Sequence, residues 1–378
     1  MEKVHIALVG AQTVPVYIGI KDDTQAQKVI LICSEQSREE ARRLVRQFPL
    51  PFEVKVTSPV DLVKISKLSE HLKSENEGCE ITINLSSGTK IWALSIYQTF
   101  VNTPNTRFLY VDQTNNIIDF KTGKSHKGEI RPFTRLELYG AKLSSSKKLE
   151  NYTETDFNVV DKIMHIRKTN KPDFALLTSA EKCDDLENIP MTTLGSSLHF
   201  SHLEQKADIV LYDYNGTWCI RESLESEHLS DILFNTAWFE LKVAKDIKEN
   251  KNVKNVWLNC TFPYTKGNPK NEIDIIVELP DRLLFVECKT MIHDITDIDK
   301  FAMAMKNYSG ISTNGLFVTL DKPGKYNKNR KRNLEDAKEK CKDNNIQFFN
   351  YALWKENPNN EPNLIDIIDG LLDTQNKR

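Results

Sequence analysis

Over residues 4–113, short apolar runs alternate with charged segments, and that alternation leaves the chain little choice of architecture. The runs Val4–Val9, Val29–Cys33, Phe52–Val56, Ile81–Leu85 and Phe108–Val111 are strand-sized and rich in β-branched or aromatic side chains. Charged segments with helical character, such as Ser37–Phe48 and Asp61–Lys73, lie between them. A strand that returns parallel to its predecessor needs a right-handed crossover, so the pattern predicts an α/β fold with a parallel sheet and helices on both faces. Ligands of such sheets bind outside the carboxyl ends of the strands.

Two loops fall at that edge. Gly10, Ala11, Gln12 and Thr13 follow the first run, with Pro15 suited to an early helical position. Asn84, Leu85, Ser86, Ser87, Gly88, Thr89 and Lys90 follow the fourth and lead into a helix over Ile91–Phe100. Hydroxyls, a glycine and free amides at a helix start form an anion site, to which Lys90 adds charge. The Gly-Lys-Ser/Thr order of a triphosphate-binding loop is absent. Plain N-capping by Ser or Thr is the other reading of the same residues.

The second informative stretch is Glu272–Lys289. Asp274–Glu278 and Leu283–Lys289 read as strands, and Leu279-Pro280-Asp281-Arg282 suits a type I turn with Pro at its second position. A loop centred on Pro280–Asp281 sets Asp274 opposite Glu287 and Glu272 opposite Lys289. Opposite residues of an antiparallel ladder share a face, with Cβ atoms roughly 4.5–5.5 Å apart. The period of two puts Lys289 on that face and turns Val286 and Cys288 away. Two carboxylates so placed can grip one hard cation through oxygens at about 2.0–2.6 Å. A lysine beside them could orient or deprotonate a water, so the hairpin reads as a metal-dependent hydrolase site. The competing reading is an ordinary cross-strand ion pair between Glu272 and Lys289. Against it, polar residues interrupt apolar strands on one face, which costs burial unless a cation is present.

The spacing Asp274-x(12)-Glu287-x-Lys289 resembles the PD-(D/E)XK motif of restriction-endonuclease-like folds. The resemblance implies that Asp274 and Glu287 bind Mg²⁺ or Mn²⁺, that the Cys288 backbone carbonyl joins them, and that Lys289 assists the attacking water. It also implies a helical glutamate upstream, and Glu240 within Asn235–Ile247 is the candidate, 34 positions before Asp274. The Asn84…Gly88-Thr89-Lys90 segment resembles the Asn-x-Thr-Gly-Gly-Thr-Lys loop of CARF domains, Rossmann-fold sensors of cyclic oligoadenylates. Here two serines replace the Thr and the first Gly. Together the two motifs resemble the Card/Can ancillary nucleases of type III CRISPR immunity. That family implies a sensor activated by cyclic oligoadenylate, with cyclic tetra-adenylate expected. It also implies a nuclease acting on single-stranded DNA, RNA or both, or on duplex DNA. A symmetric ligand calls for a two-fold binder, so a homodimer is expected.

The expected organisation is a CARF domain over 1–142, a small connecting domain of winged-helix type over 143–224, and the nuclease domain over 225–378. Leu143–Tyr152 reads as a polar linker between the first two. Asp297–Tyr308 and Leu334–Asn344 read as helices flanking a strand at Gly315–Leu320, and Lys322–Arg332 reads as a basic loop suited to phosphates. A net charge of −2 confines nucleic-acid binding to local patches. Seven cysteines without a C-x-x-C pair are read as reduced thiols, neither a zinc site nor a disulfide frame. The start Met1–Ile6 does not read as a signal peptide, and no apolar run approaches the ~20 residues of a membrane span, so a cytoplasmic protein is expected. Two other functions stay open. Arg221 and His228 meet the spacing of a metal-independent HEPN ribonuclease, and the middle segment could read DNA in a ligand-responsive transcription factor without nuclease activity.

Overall fold

The computed structural model describes residues 1–141, 143–179, 189–262, 272–280, 282–309, 313–322, 328–358 and 361–373, the side chains of 309, 328–333 and 373 excepted. The chain divides into two compact units, Met1–Lys142 and Leu143–Arg378.

In the first unit β1 (Lys3–Val9), α1 (Val14–Asp22), β2 (Lys28–Cys33), α2 (Arg38–Val45), β3 (Phe52–Val56), α3 (Leu62–Glu75), β4 (Glu80–Asn84), α4 (Lys90–Phe100) and β5 (Thr106–Val111) alternate as the apolar runs predict. The sheet order is β3-β2-β1-β4-β5, all parallel. Each central strand feeds two cores. In β1, Val4, Ile6 and Leu8 pack on one face with Trp92 and Ile96, while Ala7 and Val9 pack on the other with Val16 and Ile18. Burial on both faces explains why these strands read as continuous apolar runs rather than alternating ones.

Beyond β5 the sheet grows by elements that no apolar run marks. β6 (Asn116–Asp119) and β7 (Ser125–Lys127) extend it as an antiparallel hairpin, and α5 (Pro132–Leu138) comes after. These strands are short and largely polar, so they carry no hydrophobic pattern. Their turns are set by carboxylates instead: Asp112 accepts the Thr114 and Asn116 amides, and Asp119 accepts those of Lys121 and Thr122.

In the second unit the expected linker is structured. β8 (Ser145–Lys148) pairs antiparallel as the edge of a six-stranded sheet. Its serines replace apolar packing with hydrogen bonds to one residue, since Ser144 and Ser145 both reach Thr261 Oγ1, at 3.0 and 2.5 Å. α6 (Glu154–Ile166) and α7 (Lys171–Leu177) come next. After them, β9 (Ser197–Ser201), β10 (Lys206–Tyr212) and β11 (Cys219–Glu225) form an antiparallel three-stranded sheet. Residues 143–224 share one core with the rest of the unit. Val159, Phe174, Phe200 and Leu211 belong to the same cluster as Trp238, Ile275 and Val286.

The chain continues through α8 (Leu229–Leu233) and α9 (Ala237–Lys248) into the antiparallel strands β12 (Asn255–Thr261), β13 (Glu272–Glu278) and β14 (Leu283–Lys289). After α10 (Thr296–Ser309), β15 (Asn314–Thr319) joins β14 in parallel. After α11 (Lys328–Asp343), β16 (Ile346–Asn350) joins β15 in the same way. α12 (Tyr351–Glu356) and α13 (Leu364–Asp373) complete the described chain. A meander that turns into parallel crossovers is the arrangement expected of an α/β nuclease core. The basic loop is corrected in part. Lys328–Arg332 belong to the start of α11, while Lys325 and Tyr326 lie outside the described residues.

Candidate functional site

The β13–β14 hairpin has the register that its turn dictates. Ile275 faces Val286 and Glu278 faces Leu283, and the Leu279 amide donates to the Arg282 carbonyl at 3.0 Å. Asp281, within that turn, lies outside the described residues. Just past the last paired position, Asp274 Oδ2 accepts the Cys288 amide at 2.7 Å. Glu287 Oε1 meets Lys289 Nζ at 2.5 Å, so the lysine pairs along its own strand and not with Glu272. Glu272 is exposed and faces Thr261 of β12. Against this sheet packs α9, which brings Glu240 to the same group.

The electrostatics result from that crowding. Burial raises the pKa of Asp274 to about 7, with Glu287 adding to the shift and Lys289 and the Cys288 amide opposing it. Burial likewise raises Glu287 against the pull of Lys289. Glu240 is held well above the carboxylate range by burial, then by Asp274 and Glu272. Burial works against the charge on Lys289, but Asp274 and Glu287 outweigh it and keep the ammonium protonated above its ordinary value. The Cys288 thiol is buried and pushed well up, which leaves it inert as a ligand or nucleophile. The result is a concentration of carboxylates with one ammonium to offset them.

No group of three or more His, Cys, Asp and Glu side chains is drawn together to hold a metal among the described residues. The donor set nonetheless suits a hard divalent cation. Its side chains offer carboxylate oxygens, no histidine and no available thiolate, and a bound cation would relieve the repulsion that lifts Asp274. Two further carboxylates contribute. Glu272 adds negative potential at Glu240 and Asp274, and Asp297, in the first turn of α10, does so at Glu287 and Lys289. Counting from the turn brings in Glu272 only as a partner for Lys289, and nothing in the spacing marks Asp297.

In the first unit the two loops at the carboxyl edge of the sheet touch. The Gly10 amide donates to Ser87 Oγ at 3.0 Å, and a Cβ on Gly10 would come within 3.0 Å of the Gly88 nitrogen. Several of the candidate side chains are committed inside the protein. Thr13 is buried and donates to the Leu138 carbonyl at 3.3 Å. Asn84 donates to the Pro15 carbonyl at 3.2 Å and accepts the Ser86 amide and hydroxyl. Ser86 Oγ in turn accepts the Val111 amide at 2.7 Å. Thr89 caps α4 through the Trp92 amide and donates to Pro59. Ala11, Gln12, Gly88 and Lys90 remain exposed, with Gly10 and Ser87 half-buried. Ser37, which no motif or period singles out, ties the β2 loop to this rim by donating to the Val9 carbonyl at 2.7 Å.

Gly88 is irreplaceable on two counts: its φ is +78°, and a Cβ would lie 2.7 Å from Trp92 Cε3. Gly88→Ala is expected to cost at least about 1–2 kcal/mol of stability from the left-handed backbone alone. Chemical denaturation of the separate unit 1–142 or of the whole chain would measure it. An unchanged midpoint would mean that the loop readjusts freely.

Arg221 lies in β11 and His228 at the start of α8, where its Nδ1 meets Asp156 at 3.0 Å. A strand residue and a histidine paired with Asp156 ahead of a five-residue helix do not make the all-helical site that a HEPN ribonuclease needs. No helix among the described residues is long and apolar enough to cross a membrane.

Residues 4–139 match the family model described as the Card1 CARF domain. No curated protein matches the chain. Among solved structures the chain is similar to Can2 from Sulfobacillus thermosulfidooxidans in complex with cyclic tetra-adenylate. The TM-score is 0.65 at 18% identity, covering 92% of this chain and 95% of that one. It is similar to VC1899 from Vibrio cholerae with a TM-score of 0.64 at 15% identity, covering 92% and 94%. A type III CRISPR defence DNA nuclease activated by cyclic oligoadenylate matches with a TM-score of 0.54 at 16% identity. There the match covers 90% of this chain and 52% of the nuclease.

Proposed function

We propose that this protein is a cyclic-oligoadenylate-activated, metal-dependent endonuclease of type III CRISPR defence, a reading supported by the match of residues 4–139 to the Card1 CARF domain and by a fold shared with Can2 over 92% of the chain. The observation that carries the reading is the β13–β14 hairpin, which gathers Asp274, Glu287 and Lys289 and meets Glu240 from α9.

In this reading Asp274 and Glu287 would hold Mg²⁺ or Mn²⁺ with the Cys288 carbonyl, and such a cation would supply charge neutralisation at the phosphate and a more acidic water. Lys289, kept protonated by its carboxylate neighbours, orients that water and offsets charge on the phosphoryl oxygens; with a raised pKa it is a poor base. Glu240, which burial and then the Asp274 carboxylate hold well above the usual carboxylate range, completes the acidic group from α9.

The activator is placed on the rim formed by Gly10–Thr13 and Asn84–Lys90. Thr13, Asn84, Ser86 and Thr89 shape that rim from within, while Gln12, Ser87, Gly88 and Lys90 contact phosphates or sugars. A homodimer is the matching assembly, and α4 supports it. Ile91, Leu94, Tyr97 and Val101 form an exposed apolar stripe along that helix and its C-cap, and Leu94 is 69% exposed. A two-fold axis beside the stripe would bury it against its own copy and present two rims to one symmetric ring.

The test is incubation with cyclic tri-, tetra- or hexa-adenylate plus Mn²⁺, read on labelled single-stranded DNA, RNA and duplex DNA. Cleavage is expected with cyclic tetra-adenylate and is expected to disappear with chelator. Cleavage that ignores both activator and chelator would overturn the proposal.

A further inference from the structure

At one end of the three-stranded sheet, the β10–β11 hairpin displays Tyr214 and Trp218, 58% and 56% exposed. Their loop is preorganised. Asp213, itself buried, accepts the Thr217 amide at 2.7 Å and the Trp218 amide at 3.1 Å, and its own amide donates to the Trp218 carbonyl at 3.0 Å. Gly216 supplies the positive φ of +71° that the turn requires. The Tyr214 hydroxyl accepts the Lys171 amide at 3.3 Å, which ties the hairpin to the start of α7. Two large aromatics held rigidly in solvent forgo burial that the core could have used.

A cation of unusual surroundings accompanies them. Arg167, the C-cap residue of α6, lies half-buried with its guanidinium 4.7 Å from the centre of the Trp238 ring. Among the described residues no carboxylate pairs with it; burial lowers its pKa and Tyr214 opposes the shift. Lys168 and Lys171 lie just beyond it on the exposed surface. A stacked, partly desolvated guanidinium without a counter-ion is suited to a phosphate. Tyr214, near enough to act on Arg167, and Trp218 across the same turn expose faces that suit bases, since every base offers a π-face and single strands leave those faces free. Trp238 also stands two residues before Glu240 on α9, so the arginine is anchored to the helix that carries Glu240.

We propose that Tyr214, Trp218 and Arg167 form a platform that stacks bases of single-stranded nucleic acid and grips its phosphate, presenting the strand to the site at Asp274 and Glu287. The purpose assigned to the platform rests on the nuclease reading; the binding itself does not.

Trp218 offers a direct readout, being the exposed member of the chain's five tryptophans. In full-length protein carrying Asp274→Asn and Glu287→Gln, titration with single-stranded oligothymidylate should quench tryptophan emission. Trp218→Phe should remove most of the quench while retaining affinity, measured by anisotropy of the labelled strand. Trp218→Ala and Tyr214→Ala should each weaken binding by about 5- to 100-fold, and Arg167→Gln should reduce the salt slope by about one. Duplex of the same sequence, its bases already stacked, should be indifferent to Trp218→Ala. Unchanged single-strand affinity in both alanine variants would overturn the platform. In the otherwise unmodified enzyme, Trp218→Ala should raise KM more than it lowers kcat. Equal KM with intact cleavage would remove the platform and leave the nuclease standing. Trp218 quenching in a chain that never cleaves would remove the nuclease and leave the platform.

Discussion

Asp274→Asn combined with Glu287→Gln is expected to lower cation-dependent cleavage by at least about a thousandfold, while leaving activator binding untouched. Each substitution removes an anionic oxygen donor, and Lewis-acid stabilisation of a phosphoryl transition state is worth several kcal/mol, with about 1.4 kcal/mol per factor of ten. The stability of the protein offers a second reading of the same site. Removal from water, and then the Glu287 carboxylate, lifts the pKa of the half-buried Asp274 to about 7, so converting it to an amide relieves both when no cation is present. The Asp274→Asn protein should therefore melt no lower than wild type in chelator. Saturating Mn²⁺ should raise the wild-type midpoint by about 5–10 °C, from roughly 2.7 kcal/mol of linkage at a hundredfold excess over Kd. The double variant should show no such rise. Cleavage at the wild-type rate in the double variant would end the assignment of this hairpin as the site.

Lys90→Ala should weaken cyclic tetra-adenylate binding by at least tenfold and shift activated cleavage to correspondingly higher activator concentration. Lys90 is exposed at the first residue of α4, where the amides of the helix start already favour an anion. A two-fold binder loses one cation from each copy, so a symmetric ring loses two charge-assisted contacts at roughly 1.5–3 kcal/mol each. Cleavage without activator should persist at its basal level, because the substitution lies outside the unit that carries Asp274. Calorimetric titration of wild type and variant decides the matter: equal affinities would reduce the Asn84–Lys90 loop to a helix cap.

The hairpin was legible because its register depends on a local turn. Once Pro280 fixes the reversal, cross-strand partners are found by counting as far as Ile275 and Val286, where the ladder ends; the expected pairs beyond it, Asp274 with Glu287 and Glu272 with Lys289, are not part of it. The parallel sheet was legible for a related reason, since strands buried on both faces leave unbroken apolar runs. What escaped notice is structure made by polar groups. β8 is held at a sheet edge by hydroxyls of Ser144 and Ser145 on Thr261, and β6 and β7 are shaped by Asp112 and Asp119. Such elements have no period to detect. The rim of the first unit shows the same limit from another side. Its position was readable from the topology. The commitment of Thr13, Asn84 and Thr89 to internal hydrogen bonds was not, because a hydroxyl or amide in a sequence looks the same whether it faces a ligand or a neighbouring carbonyl.

Helix α4 begins at Lys90 on the rim and carries Ile91, Leu94, Tyr97 and Val101 outward along its length and past its end. Eleven residues at about 1.5 Å each make a rod of about 16 Å, and a rod transmits tilt without attenuation. Trp92, buried against Leu8 and Ile83 behind it, gives that rod a fulcrum near its first turn. A displacement imposed at the short arm is therefore enlarged at the long one: a rotation of about 5° moves the far end by more than 1 Å, roughly the step by which packed helices slide in switching proteins. A small adjustment around a bound ring would thus arrive at the apolar stripe as a change in how two such helices can pack, with no need for the sheet beneath to deform.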